Sequence, residues 1–187
     1  MKVGNRVRAF PICLIGIFVI LFFSGCNKLR RDNRSLFQKY YGTTLDLVDS
    51  LKYFKINSGE VSEPDLQEFK IVTYIDASCS GCLDELLQWN ALIDDMRFEK
   101  VSFLIYIFAR NSEVLELFLS DIEFDYFIII DRKNTFFKTN ELTSNKLFQT
   151  FLLNRENEIV LIGNPIYSEK IKNLYSSTIA SRLGQPY

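Results

Sequence analysis

The sequence predicts one α/β domain, a mixed β-sheet with helices on both faces, behind an N-terminal signal segment and a short N-terminal extension. Three observations predict it. From Phe69 onward, short apolar β-branched runs alternate with segments of helical periodicity. Near Asn154 two apolar runs flank a four-residue polar loop, the signature of an antiparallel hairpin. The first 25 residues, finally, have the charge and length of a leader rather than of a domain. A length of 187 residues suits one such domain, and 48% hydrophobic residues, with 17 Phe and 9 Tyr, supply its core and exclude a mainly disordered chain.

In chain order, the leader comes first. Lys2, Arg6 and Arg8 precede an apolar run from Phe10 to Phe23, and no acidic residue occurs before Asp32. The run is shorter than the roughly 20 residues a bilayer span needs, and Pro11 and Gly16 interrupt it. Phe23-Ser24-Gly25-Cys26 follows. This stretch resembles the lipobox of bacterial lipoproteins, which implies cleavage after Gly25 and diacylation of Cys26, with palmitate-type chains, as the new N-terminus. An uncleaved signal anchor is the other reading. Cleavage would leave 19 basic and 23 acidic residues, a net charge of −4, and would leave Cys79 and Cys82 as the only thiols. Residues 26–35 then form a lipidated polar tether, and 36–187 form the domain, with its core at about 66–181.

Within the domain, Leu36 to Tyr41 reads as a short helix or lead-in strand, and Thr44–Leu47 and Leu51–Ile56 as short strands. Asn57-Ser58-Gly59 and Glu63-Pro64-Asp65 are loops. Phe69–Ile75 reads as a buried strand. Leu83–Met96 reads as an amphipathic helix with Leu83, Leu86, Leu87, Ile93 and Met96 inward and Trp89 in the core. Val101–Ala109 is a second buried strand, Ser112–Leu119 a helix capped by Ser112, and Tyr126–Asp131 a third strand. Thr150–Leu153 and Glu158–Ile162 form the hairpin around Asn154–Asn157. Ser168–Ser181 closes the chain as a helix with Ile171, Leu174, Tyr175 and Ile179 on one face.

The composition excludes several function classes. There is no histidine, so no Ser-His-Asp or Cys-His unit and no His-ligated metal. A formal charge of −1 lacks the basic excess of a nucleic-acid binder. No cofactor and no metal are expected.

Chemistry rests on Cys79-Ser80-Gly81-Cys82, placed between a predicted buried strand and a predicted helix. A helix N-terminus offers unpaired N–H groups and the positive end of the macrodipole, which stabilise a thiolate. Two intervening residues let the second sulfur reach the first. Cys79 would attack a substrate disulfide and Cys82 would resolve the mixed disulfide. Half of a zinc site is the weaker reading, because neither His nor further Cys is at hand. An inert structural disulfide between the two is the remaining alternative.

The segment from Phe69 to Ile162 resembles the thioredoxin-like, membrane-anchored reductases of the TlpA and ResA type, which work outside the bacterial cytoplasm. Cys79, Cys82 and Glu85 match the group's Cys-x-x-Cys-x-x-Glu spacing, and Phe148-Gln-Thr-Phe-Leu-Leu-Asn-Arg-Glu-Asn-Glu-Ile-Val160 partly matches its hairpin pattern. The resemblance implies a thioredoxin-like fold and a lipid-anchored thiol–disulfide oxidoreductase facing the periplasm. Its partners would be protein disulfides or dithiols, an electron-donor or acceptor protein and the membrane held through Cys26. Glu85 would either move a proton to and from Cys82 or stand exposed in the first helical turn. The resemblance implies three departures: Phe148 replaces the fold's cis-proline, Ser78 stands where an aromatic residue is common before the first Cys, and Thr73 stands where thioredoxin has a buried Asp. Those departures keep a second class open, a non-catalytic thioredoxin-fold binding or assembly lipoprotein with a structural or vestigial Cys pair. A trans bond is expected between Leu147 and Phe148, with the Phe ring covering the Cys pair or buried beside it.

Overall fold

In a computed structural model, residues 30–55, 58–62, 64, 67–78, 80–96, 101–124 and 126–183 are described, with Ser80, Cys82, Leu83 and Ser112 described through their backbone alone. Residues 30–40 form helix α1, so the short helix expected at Leu36 reaches back into the segment expected as a tether. The chain divides into Met1–Lys39 and Tyr40–Tyr187, and every strand belongs to the second unit.

The elements of that unit run β1 (Tyr53–Lys55), β2 (Gly59–Val61), β3 (Phe69–Asp76), α2 (Ser80–Asp95), β4 (Val101–Phe108), α3 (Ser112–Asp121), β5 (Ile128–Ile130), α4 (Thr135–Thr139), β6 (Thr150–Leu153), β7 (Ile159–Ile162) and α5 (Glu169–Leu183). The strands form one sheet in the order β2-β1-β5-β4-β3-β6-β7. β3 lies parallel to β4 from Phe69↔Val101 to Asp76↔Phe108 and antiparallel to β6 from Lys70↔Leu153 to Thr73↔Thr150. β4 and β5 are parallel, so the centre is parallel and both margins antiparallel. Near-continuous burial along β3 and β4 is what a sheet covered on both faces requires.

The main core lies where Ile71 and Ile75 of β3 and Phe103, Ile105 and Ile107 of β4 meet Leu86 and Trp89 of α2, Leu115 and Leu119 of α3, and Tyr175 and Ile179 of α5. Within α2, Leu87 is 46% exposed, because it lies off the ridge made by Leu86, Trp89 and Met96. In α5 the inward ridge is Ile171, Tyr175 and Ile179, four residues apart, and Leu174 turns outward. On the opposite sheet face Tyr106 stacks on Phe136 at 3.7 Å between centroids, and Tyr40 meets Phe151 edge-on at 5.8 Å.

Four further expectations need correction. Thr44–Leu47 is not a strand beyond the single bridge Thr44↔Glu158. The Asn140 side chain takes both backbone groups of Asp46, at 2.8 Å each, and Val48 turns to φ +54°, so no ladder can propagate. Gly59–Val61 is a strand, completing a hairpin with β1 where the sequence suggests only a loop. α3 is capped by Asn111, whose side chain accepts from Glu113 N at 3.0 Å, rather than by Ser112. α2 begins at Ser80, three residues before Leu83, and that shift decides the geometry of the site.

Candidate functional site

The carboxyl end of β3 and the start of α2 make the site. Ala77 N donates to Phe108 O at 2.9 Å, continuing the parallel ladder one step past Asp76. Ser78 N then donates to Asp76 Oδ1 at 2.9 Å, an Asx turn that reverses the chain ahead of the helix. Ser78 itself is exposed. Cys79 and Cys26, like the whole leader, lie outside the described residues. Cys82 lies in the first turn of α2, where backbone N–H groups lack intrahelical acceptors.

Glu85 follows three residues after Cys82, on the same helix face. The early start of α2 puts Glu85 in the second turn, and it is buried at 5% exposure rather than standing in water. Of its two possible placements the exposed one is therefore overturned. Three elements converge on its carboxylate. Asn164, after β7, donates to Oε1 at 3.0 Å, and Lys146, in the 3₁₀ turn Lys146–Phe148 before β6, reaches Oε2 at 3.4 Å. The side chain of Lys146 is 52% exposed against 6% for Glu85, so the pair joins a buried anion to a solvated cation. Tyr167 completes the group. Its phenol is pushed up to about 12, first by burial and then by the charge and hydrogen bond of Glu85.

Below this cluster the cross-strand pair Thr73 and Thr150 share a buried hydrogen bond of 2.9 Å between their hydroxyls. A neutral hydroxyl pair thus stands where thioredoxin has a buried Asp. Trp89, four residues past Glu85 on α2, is fully buried as expected, and its Nε1 has no hydrogen-bond partner. Near the end of β3, burial together with the charges of Asp76 and Asp131 pushes the Tyr74 phenol up to about 12.

No cis peptide bond occurs among the described residues, so the Leu147–Phe148 bond is trans. Phe148 N donates to Asn145 O at 2.9 Å, and its ring is buried 6.3 Å from that of Tyr40. The loop before β6 is held by its own 3₁₀ turn and by Tyr74 N donating to Gln149 O at 2.9 Å. Among the described residues no group of three or more Cys, Asp or Glu could hold a metal ion, and no helix is long and apolar enough to cross a membrane.

Sequence reasoning alone does not find Lys146, Asn164 or Tyr167. Asn164 precedes Pro165 and reads as turn chemistry, a role it also fills by accepting from Ile166 N at 3.1 Å. That its amide nitrogen reaches helix α2, 79 positions away in the chain, carries no local signal.

No protein-family profile matches the chain, and no curated protein matches it in sequence. Solved structures do match. StoA from Bacillus subtilis superposes with a TM-score of 0.51 at 21% identity, covering 68% of this chain and 98% of that one. A protein of Chlorobium tepidum described as thiol:disulfide interchange protein DsbE gives 0.56 at 12% identity, covering 73% and 96%. A Cys-to-Ser variant of PrxQ from Xylella fastidiosa gives 0.55 at 17% identity, covering 74% and 96%. With its mixed sheet, its strand-to-helix turn at the Cys motif and its closing hairpin and helix, the chain has the thioredoxin-like fold on which thiol–disulfide oxidoreductases are built.

Proposed function

We propose that this protein is a lipid-anchored thiol–disulfide oxidoreductase of the bacterial cell envelope, with its domain facing the periplasm. The reading rests on one observation above the others: α2 begins immediately after Cys79, so that Cys82 lies in its first turn and Glu85 is buried three residues on. In this reading Cys79, as a thiolate, attacks a substrate disulfide, forms a mixed disulfide and expels one substrate thiolate. Cys82 then attacks the Cys79 sulfur, releases the second substrate thiol and leaves the Cys79–Cys82 disulfide, which a dithiol donor reduces. Glu85, oriented by Asn164 and Lys146, carries the proton that Cys82 gives up. Cys26 carries the lipid, and residues 26–35 link it to the domain.

The second reading, a binding or assembly lipoprotein, is favoured by Phe148, whose ring and 3₁₀ turn occupy the segment where relatives offer backbone to an extended substrate. Insulin reduction by the full chain in the presence of dithiothreitol separates the two. An oxidoreductase accelerates precipitation of the insulin B chain over dithiothreitol alone, whereas the binding protein leaves the rate unchanged. The anchor is tested separately with labelled palmitate, which should be incorporated by the parent chain and lost in Cys26→Ser. An unlabelled parent retained in the membrane would mean an uncleaved signal anchor.

A further inference from the structure

A second site lies on the sheet face opposite α2, near the start of β3. There the segment Thr44–Leu51 covers the sheet in place of a regular helix and leaves a polar cavity of about 810 Å³. That volume is within the roughly 300–1,000 Å³ of small-molecule sites.

Two polar side chains of its wall come from different elements, Lys70 buried and Asn157 half-buried. Lys70, on β3, is 4% exposed, in a strand otherwise of apolar residues, Thr and Asp. Its Nζ donates to Arg155 O at 3.1 Å, leaving two of its three N–H groups directed elsewhere. Burial, opposed by the nearby carboxylate of Glu156, holds its pKa below the ordinary lysine value. Asn157, in the β6–β7 turn, has a buried Oδ1 with no hydrogen-bond donor. A buried acceptor without a donor is destabilising, and the fold's need at this position is only for a residue that tolerates φ +62°. Glycine would meet that need without an orphaned amide.

Charge on the cavity wall is divided. Arg155 joins Lys70 on the side of β3 and the hairpin turn, while Asp46, Asp49 and Glu68 come from the covering segment and the lead into β3. A phosphate or a dicarboxylate would be drawn to the first group and repelled by the second. A ligand with one carboxylate and one nearby ammonium satisfies both.

We infer that this cavity binds an α-amino carboxylate, either a free amino acid or a short peptide, with its carboxylate on Lys70 and Arg155 and its N–H donor on Asn157 Oδ1. The site is separate from the Cys motif, which follows the opposite end of β3, and it does not depend on redox activity.

Calorimetric titration of the full chain with glycine and with Gly-Gly tests it, with acetate, ethylamine and inorganic phosphate as comparison probes. Glycine binding assigns a free amino acid, and Gly-Gly binding alone assigns a peptide. In either case the zwitterion should bind at least about tenfold more tightly than acetate, ethylamine or phosphate, and Lys70→Met and Asn157→Gly should each weaken it about tenfold or more. Asn157→Gly keeps the positive φ accessible, and an unchanged circular dichroism spectrum confirms the fold of each variant. The assignment is overturned if neither zwitterion binds, if phosphate or acetate binds as tightly, or if both folded variants bind like the parent.

Discussion

Cys79→Ser should reduce disulfide turnover to the uncatalysed background, while Cys82→Ser should stop the cycle one step later, with substrate trapped on Cys79. The difference follows from position. Cys79 immediately precedes the first residue of α2, where the partial positive charge of the helix end is closest, and Cys82 lies within the first turn, where its role is to displace substrate from Cys79. Non-reducing electrophoresis reads the outcome directly, because the trapped species migrates at the summed mass and collapses with dithiothreitol. Retained turnover in Cys79→Ser, or a covalent complex in that variant instead, would exchange the two roles. Glu85→Gln belongs to the same experiment. It keeps the shape and a hydrogen bond from Asn164 but removes the anion facing Lys146, so proton transfer should fail while the covalent complex still forms.

Phe148→Pro should destabilise the protein rather than repair it. In relatives a proline here lies against the disulfide, which makes the substitution attractive as a gain of activity. In this chain Phe148 N donates to Asn145 O, and the ring is buried against Tyr40. Proline removes that donor and most of the ring, and truncating a buried Phe alone costs about 3–5 kcal/mol. At about 2–4 °C per kcal/mol for a chain of this size, Tm should fall by on the order of 10 °C. Phe148→Ala should show most of the same loss, since the ring supplies most of the burial. A melting temperature within about 2 °C of the parent for Phe148→Pro would mean that the loop adopts the relatives' path at little cost.

Local sequence suffices for some elements and fails for others. β3, β4 and the β6–β7 hairpin are readable because long β-branched apolar runs admit one periodicity, and each matches its expected range within a residue. β2 is not, since Gly59-Glu60-Val61 has no apolar pattern and pairs only because β1 lies beside it. Nor is α4, whose five residues give no full helical period. At the site, the Cys spacing and its strand-to-helix context are visible in the chain. The burial of Glu85 is not, because its partners Lys146 and Asn164 lie 61 and 79 positions away. Lys70 is hidden for the opposite reason: one charge inside an apolar run reads as noise until the cavity beside it is seen.

The central claim is that the start of α2 activates Cys79. Iodoacetamide alkylation of the reduced full chain across pH 4–10, with each cysteine followed by mass spectrometry, tests it most directly. Cys79 should react with a midpoint well below the ordinary thiol value of about 8.5, within roughly 3.5–7.5, and Cys82 should react later or more slowly. Both cysteines titrating together near 8.5 would contradict the account, leaving the Cys pair a structural element of a binding protein.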